Sequence, residues 1–369
     1  MEQTYHFSAP GRVELSGNHT DHQHGCVLAC AVDLEASAEV VPAGDGRIRV
    51  ESEGFGTADI ALDDLQPRIE EQNTTAALVR GVAAGFRQRG FKIGGFTASV
   101  RSTVLPGSGL SSSAAFEVLL GRILNALYCE GALDAKELAV IGQRAENDYF
   151  GKPCGLMDQM ASSVGGLVFM DFGAPEGTLV ERVDYDFARS GHALCIVDSG
   201  ADHAALTDEY AAIPRELSRV CACFGKSVLR EVDEAEFYAR IDEVRRAAGD
   251  RAVLRAMHIF EENKRVLRQV RSLRAGDFAA FLRDVTASGD SSWLYLQNVT
   301  PRNSVEHQDM AFTIALCRHL LRGEGAVRVH GGGFAGTVLA LVPENRLDAF
   351  GDGVERVLGS GRCRVLHVR

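Results

Sequence analysis

Hydrophobic residues along this chain switch between two spacings, and the switches mark element boundaries. The stretch 26–41 and the short segment 47–50 read as strands, whereas Leu78, Val79, Val82 and Phe86 recur at helical spacing up to a stop near Gly90. Phe96, Ala98 and Val100 alternate with polar neighbours, which predicts a strand leading into a loop at Pro106. Behind that loop Ala114, Ala115, Val118, Leu119, Ile123, Ala126 and Leu127 describe one face of a helix. Asp134 and Glu137 stand three apart as a capping pair ahead of a helix running to about Phe150. Segments 167–170 and 193–197 read as strands, and 235–248, 251–275 and 307–321 as helices. The strands 327–330 and 337–341 flank a run of glycines, and a helix at 347–358 and a strand at 363–367 close the chain. No regular repeat orders these elements. That predicts two layered α+β domains, 1–190 and 191–369, rather than a doubly wound sheet.

Composition narrows the class. A chain of 369 residues with 46% hydrophobic and 24% charged content is long enough for two cores and ordinary for a soluble protein. No apolar run approaches the ~20 residues of a membrane span, and the N-terminus lacks the basic-then-apolar order of a signal peptide, so a cytoplasmic location is expected. The net charge of −11 argues against nucleic acid as a partner, although a nucleotide needs only a local cradle. Nine cysteines lack zinc-ligand spacing and are expected to be reduced thiols, mostly in the core. Nothing points to an oligomer, and a monomer is the working expectation.

The run Pro106, Gly107, Ser108, Gly109, Leu110, Ser111, Ser112, Ser113, Ala114 carries the most chemistry. Its glycines let backbone approach a ligand, its serines add N–H groups and hydroxyls, and the helix start behind it favours an anion. The same residues also read as a small-residue turn capping a helix. Gly331-Gly332-Gly333-Phe334-Ala335-Gly336 matches a dinucleotide fingerprint, yet β-rich sequence follows it where that fingerprint opens a helix. Gly225-Lys226-Ser227 imitates the end of a P-loop, but Val220 stands where the first glycine belongs and a surface helix is predicted there. His19, His22 and His24 around Asp21 could meet a metal, but no distant cluster completes the shell, and contact with a small polar ligand is the better reading.

Four separated segments carry a resemblance: 9–21, the Pro106 loop, 145–159 and 330–336. In order and spacing they are similar to the galactokinase branch of the GHMP small-molecule kinases. The resemblance implies a two-domain α+β fold with the active site between the halves, the first ribosomal-S5-type and the second ferredoxin-like. It also implies ATP-dependent phosphorylation of a sugar at its anomeric hydroxyl, within galactose metabolism. By the same resemblance the Pro106–Ala114 loop would hold the ATP phosphates, and Ser113 and Glu146 would hold Mg²⁺. Asp158 matches the family's catalytic aspartate, either as general base or as a group orienting the hydroxyl, and Arg12 matches the arginine beside it. Asn18, His19, Asp21, the backbone of Gly155, and Tyr210 fall at sugar-recognition positions. Gly331, Gly332, Gly333 and Gly336 match a third motif that supports the phosphate loop and closes the cleft. Without the resemblance, Glu146 reads as a helix-surface carboxylate and Tyr210 as a helix-end packing residue.

The chain also departs from that pattern. Gly17-Asn18-His19-Thr20-Asp21-His22 stands where the family has Gly-Glu-His-Thr-Asp-Tyr, so the glutamate that accepts a bond from the sugar's C6 hydroxyl is an amide here. Galactose remains the expected sugar, with galacturonate or another hexose as the alternative and a non-catalytic sugar sensor as a third reading. On this view Asn18→Glu would improve galactose use relative to galacturonate.

Overall fold

A computed structural model describes residues 3–53, 56–104, 109–201 and 206–369. Its first sheet is organised by β2 (Cys26–Ala43), whose first seven residues are all buried. Antiparallel to it lie β1 (Tyr5–Ser16), β5 (Gly95–Ser102) and β6 (Leu167–Asp171). β3 (Arg47–Ser52), β4 (Gly56–Ala61) and β7 (Leu179–Arg182) extend the edges, giving the order β4-β3-β5-β2-β6-β7 with β1 against β2. Only β3 and β5 run parallel, across a connection that contains α1 (Thr75–Gln88).

The predicted amphipathic run after the Pro106 loop is α2 (Ser112–Tyr128), which lays Ala115, Val118, Leu119 and Ile123 on the sheet. Asp134 and Glu137 form the expected capping box at α3 (Ala135–Arg144), each side chain accepting the other's backbone N–H at 2.9 Å. The helix does not continue to Phe150 in α form. Ala145–Phe150 is a π-helical turn, and Gly151 (φ 84°) ends it. α4 (Met157–Val164) then leads into β6.

A second sheet has the order β11-β8-β10-β9, from β8 (His192–Asp198), β9 (Ala326–Val329), β10 (Thr337–Pro343) and β11 (Cys363–Leu366). The glycine run joins two antiparallel strands, as its β-rich continuation predicts. Between β8 and β9 lie α5 (Thr207–Ala222), α6 (Glu234–Ala239), α7 (Ile241–Ala248), α8 (Asp250–Arg274), α9 (Phe278–Ser291) and α10 (Asp309–Leu321). α11 (Leu347–Leu358) precedes β11. Two expectations need correction. The 235–248 helix is broken at Arg240 into α6 and α7, and Gly225-Lys226-Ser227 lies in the turn after α5 rather than on a helix.

The two sheets share one hydrophobic core. Val266 and Val270 of α8, Phe281 and Val285 of α9, and Leu339 and Leu341 of β10 belong to the same cluster as Leu28 and Val118. The C-terminus adds a stitch, with Val368 bridged to Val32 and the Arg369 carbonyl accepting Gly166 N–H at 2.7 Å. α8 carries a stripe unlike an ordinary core face: Arg255, His258, Glu262, Arg265 and Gln269 recur every three or four residues and are all buried. A polar stripe that deep needs partners. Several of them lie at the end of β1. No helix among the described residues is long and apolar enough to cross a membrane.

Candidate active site

β1 passes through the middle of the molecule with Arg12, Glu14 and Ser16 alternating against Val13 and Leu15, which face the core. Arg12 donates Nε–H to Asp158 Oδ1 at 2.7 Å and Nη1–H to the Gly109 carbonyl. Ser111 donates its hydroxyl to Asp158 Oδ2. Burial alone would raise the Asp158 carboxyl, but the Arg12 charge and these hydrogen bonds outweigh it and hold it below the ordinary carboxylate range. Ser111 reaches this position from a left-handed backbone, φ 58° and ψ 68°, which costs a non-glycine residue about 1 kcal/mol or more.

On the other side of Ser111, Ser113 donates to Glu146 Oε1 at 2.8 Å, and Lys152 Nζ meets the same oxygen at 2.8 Å. Glu146 is buried on the π-helical turn and is not the surface carboxylate its sequence suggests. Gln159 bridges it to Glu117, donating to both carboxyl groups at 2.8 and 2.9 Å. Burial and the neighbouring Glu146 charge push the Glu117 carboxyl well above its usual range. Ser112 and Ser113 also line a cavity of about 690 Å³ walled by Leu78, Val100, Phe116 and Phe150. Gly109 (φ 72°) turns its carbonyl to Arg12, and Leu110 and Ala114 are buried. A Cβ on Gly109 would sit 2.6 Å from Thr337 Oγ1, so the loop lies directly on the second sheet. Pro106, Gly107 and Ser108 lie outside the described residues.

A smaller cleft of about 200 Å³ is lined by Arg12, Glu14, Asp21, Gly155, Asp158 and Gly332 among others. The tight turn Gly17–Gly25 forms one wall, held by Thr20 Oγ1 donating to the Gly17 and Cys26 carbonyls at 2.8 and 2.6 Å. Asp21 packs against Gly155, where any Cβ would collide with its carboxylate. Its Oδ1 accepts the His22 N–H at 2.8 Å. Burial pushes the Asp21 carboxyl up and drives His22 down to about 3. His22 is therefore neutral, burial also lowers His19, and the tautomers of the two follow from their partners. His19 Nε2 must donate to the Gly332 carbonyl (3.0 Å), so His19 Nδ1 accepts from His22 Nε2 (3.1 Å), and His22 Nδ1 accepts from Gln23 (3.2 Å).

The glycine loop is held by its carbonyls. Gly331 O accepts from Asn18 (2.6 Å), Gly332 O from His19 and from Asn298 (3.1 Å), and Gly333 O from Tyr210 (2.8 Å). Gly336 O accepts from the backbone and hydroxyl of Ser199 at 2.9 and 2.7 Å. Two sequence assignments change here. Tyr210 packs its ring over Gly332 and edge-on to Phe334, and is not among the residues lining the small cleft. Asn18 borders the cleft but has no hydrogen-bonding capacity left for a sugar. Its amide nitrogen serves Glu14 (3.1 Å) and Gly331 O, and its oxygen receives Asn298 (2.8 Å) and Ser292 (3.3 Å). A glutamate at 18 would turn a carboxylate towards Glu14, which sets a packing cost against the expected gain of galactose over galacturonate in Asn18→Glu.

Sequence reading missed the groups that brace this wall from the second half. Glu262 accepts from Gly17 N–H and Ser16 (both 3.0 Å) and from Ser288 (2.6 Å). His258 donates to the Asn18 carbonyl at 3.0 Å, and Arg328 donates to Glu14 at 2.6 Å. Their signal was the buried polar period on α8, which apolar pattern matching scores as an exposed face.

Known proteins are similar to this chain in sequence and fold. The galactokinase galactose-binding signature matches residues 2–42 and the GHMP kinases N terminal domain matches residues 77–166. The chain is 34% identical over 359 residues to galactokinase from Streptomyces coelicolor, covering 95% of this chain and 87% of that one. It is 31% identical to galactokinase from Actinobacillus pleuropneumoniae serotype 3, covering 92% and 85%. Its structure superposes on Lactococcus lactis galactokinase complexed with galactose with a TM-score of 0.82 at 26% identity, covering 99% and 94%. L. major mevalonate kinase, with a TM-score of 0.67 at 15% identity, shares the fold alone. A helix that opens on a glycine-serine loop, a buried Arg12–Asp158 pair and relatives matched over most of their length lead to one assignment: the chain belongs to the galactokinase family of the GHMP kinases.

Proposed function

We propose that the protein transfers the terminal phosphoryl group of ATP to the anomeric hydroxyl of galactose, giving α-D-galactose 1-phosphate. One observation carries the reading: Asp158, held ionised by Arg12 and Ser111, lines a sugar-sized cleft and is bonded to the residue that precedes Ser112 and Ser113, which line a larger cavity at the N-terminus of α2. In this reading residues 1–190 and 191–369 are the two domains, and the site lies between them.

The nucleotide base enters the larger cavity, and its phosphates lie along the Pro106–Ala114 loop, where the unpaired N–H groups of the first turn of α2 favour negative charge. The sugar occupies the smaller cleft with hydroxyls on Asp21 and the Gly155 backbone. His19 and Asn18 hold the glycine loop over it. Asp158 orients the anomeric hydroxyl and takes its proton late, which suits a depressed basicity and a dissociative transfer. Arg12 keeps that carboxylate ionised and lies close enough to offset charge on the moving phosphoryl group. Ser113 Oγ and Glu146 Oε1, 2.8 Å apart, form a hard oxygen pair that fits Mg²⁺, and the half-exposed Lys152 can swing away from the same oxygen. When bound, the cation neutralises phosphate oxygens and is completed by them and by water.

The test is ATP consumption over galactose, N-acetylgalactosamine, glucose, arabinose and galacturonate, with phosphorus NMR to locate the ester. Many turnovers on galactose with the phosphate at C1 support the reading. Preferred turnover of galacturonate replaces the sugar, and ligand binding without turnover replaces the enzyme by a sensor.

A further inference from the structure

Glu14 is absorbed by none of the roles above, yet it lines the small cleft beside Arg12, Asp21 and Asp158. Its Oε1 is fully occupied, accepting from Asn18 Nδ2 at 3.1 Å and from Arg328 Nη2 at 2.6 Å. Its Oε2 has no hydrogen-bond partner among the described residues and is not among the polar atoms sealed from solvent. We infer that Glu14 is a sugar-binding residue whose Oε2 accepts a substrate hydroxyl, supplying from position 14 the carboxylate that this chain lacks at position 18.

A purely structural ion pair would look different. Arg328 is wholly buried and leaves Nε and Nη1 without partners, and among the described residues it engages Glu14 through Nη2 on Oε1 rather than as a bidentate fork onto both oxygens. One oxygen is instead held by two donors while the other faces the cleft. Asn18 explains the aim. Its amide is locked by four partners, and the nitrogen it presents can only orient an acceptor. His330 fixes the backbone beneath, accepting the Glu14 N–H at 3.2 Å while its other nitrogen donates to Thr337 at 2.9 Å. A carboxylate so placed selects a neutral polyhydroxyl sugar over a uronic acid, whose charge it would repel.

The inference rests on the galactokinase reading, and the experiment separates the two. Glu14→Gln keeps an oxygen for Asn18 and Arg328 but removes the acceptor from the cleft. Its KM for galactose should rise roughly tenfold to a hundredfold, the value of a charge-assisted hydrogen bond, with KM for ATP unchanged. Galacturonate should gain on galactose by about tenfold or more. Across 2-, 3-, 4- and 6-deoxygalactose the penalty of the substitution should vanish for one sugar, the one missing the hydroxyl that Glu14 reads. An unchanged galactose KM, or an equal penalty on every deoxy sugar, overturns the inference while leaving the kinase intact. Should the variant fail to fold, a crystal structure of the wild type with galactose decides: a hydroxyl within hydrogen-bond reach of Glu14 Oε2 supports the inference, and hydroxyls placed only elsewhere overturn it. A wild type inert on every sugar overturns the galactokinase reading itself.

Discussion

Ser111 donates its hydroxyl to the oxygen of Asp158 that Arg12 leaves free, and it does so from a left-handed backbone at the start of α2. The Gly109–Ser113 loop and the acid are thus one mechanical unit. A shift of the loop is felt by the carboxylate, and the carboxylate's charge is spread over two fixed donors before any substrate arrives.

Asp158→Asn keeps the shape of that unit and removes its charge. An amide cannot take the anomeric proton, and it sets an NH₂ against Arg12 or Ser111. Sugar phosphorylation should fall by about 10²–10⁴-fold, while ATP binding measured by calorimetry persists. Near-normal turnover would take Asp158 out of the mechanism.

Ser111 separates backbone strain from chemistry. Ser111→Gly and Ser111→Ala both delete the hydroxyl and should lower kcat by about tenfold each, the worth of one hydrogen bond to a charged group. Only glycine adopts φ 58° without steric cost, so the glycine variant should be more stable than the alanine variant by about 1 kcal/mol. Equal melting temperatures would show that the left-handed geometry stores no strain.

How much of this was legible follows from distance along the chain. Arg12, Asp21, Gly155, Ser113 and Asp158 sit in short motifs, and the structure gathers them around one cleft and its adjoining loop. β2, α2 and the strands around the glycines follow their hydrophobic period because each packs on a near neighbour in the same layer. The buried stripe of α8 was hidden because its partners, Ser16 to Asn18, lie some 240 residues away and it is written in charged residues. Asn298 and Glu14 gain their meaning only where the two halves meet. The break at Arg240 and the π-helical turn at Ala145 are likewise set by tertiary packing, which local propensity does not see.

Asn18→Glu tests what a carboxylate costs at this position. Its carboxylate would face Glu14 Oε1 and the Gly331 carbonyl, two acceptors, and Arg328, the cation on Glu14, would have to serve two carboxylates. An uncompensated buried charge costs about 3–5 kcal/mol, so the variant should melt earlier and use galactose worse than the wild type. Asn298→Asp meets the same obstacle, because its amide nitrogen faces Asn18 Oδ1 and the Gly332 carbonyl. Wild-type stability with improved galactose kinetics in Asn18→Glu would mean that the loop repacks freely.

His258 makes the sugar wall sensitive to acid. Burial drives its imidazole down to about 4, so in the folded protein it is neutral, donating from Nε2 to the Asn18 carbonyl and accepting from Ser291 at 2.8 Å. The unfolded chain protonates this histidine near 6.5, well before the folded protein does. The stability it contributes is therefore complete above pH 6.5 and is lost as pH falls towards 4, about 3 kcal/mol over that window. His22, driven by burial to about 3, acts in the same direction. Chemical denaturation from pH 7 to pH 5 should show a falling unfolding free energy. His258→Gln, whose amide can serve both partners without titrating, should flatten that slope whatever its stability at pH 7. An identical slope in the variant would place the acid sensitivity elsewhere.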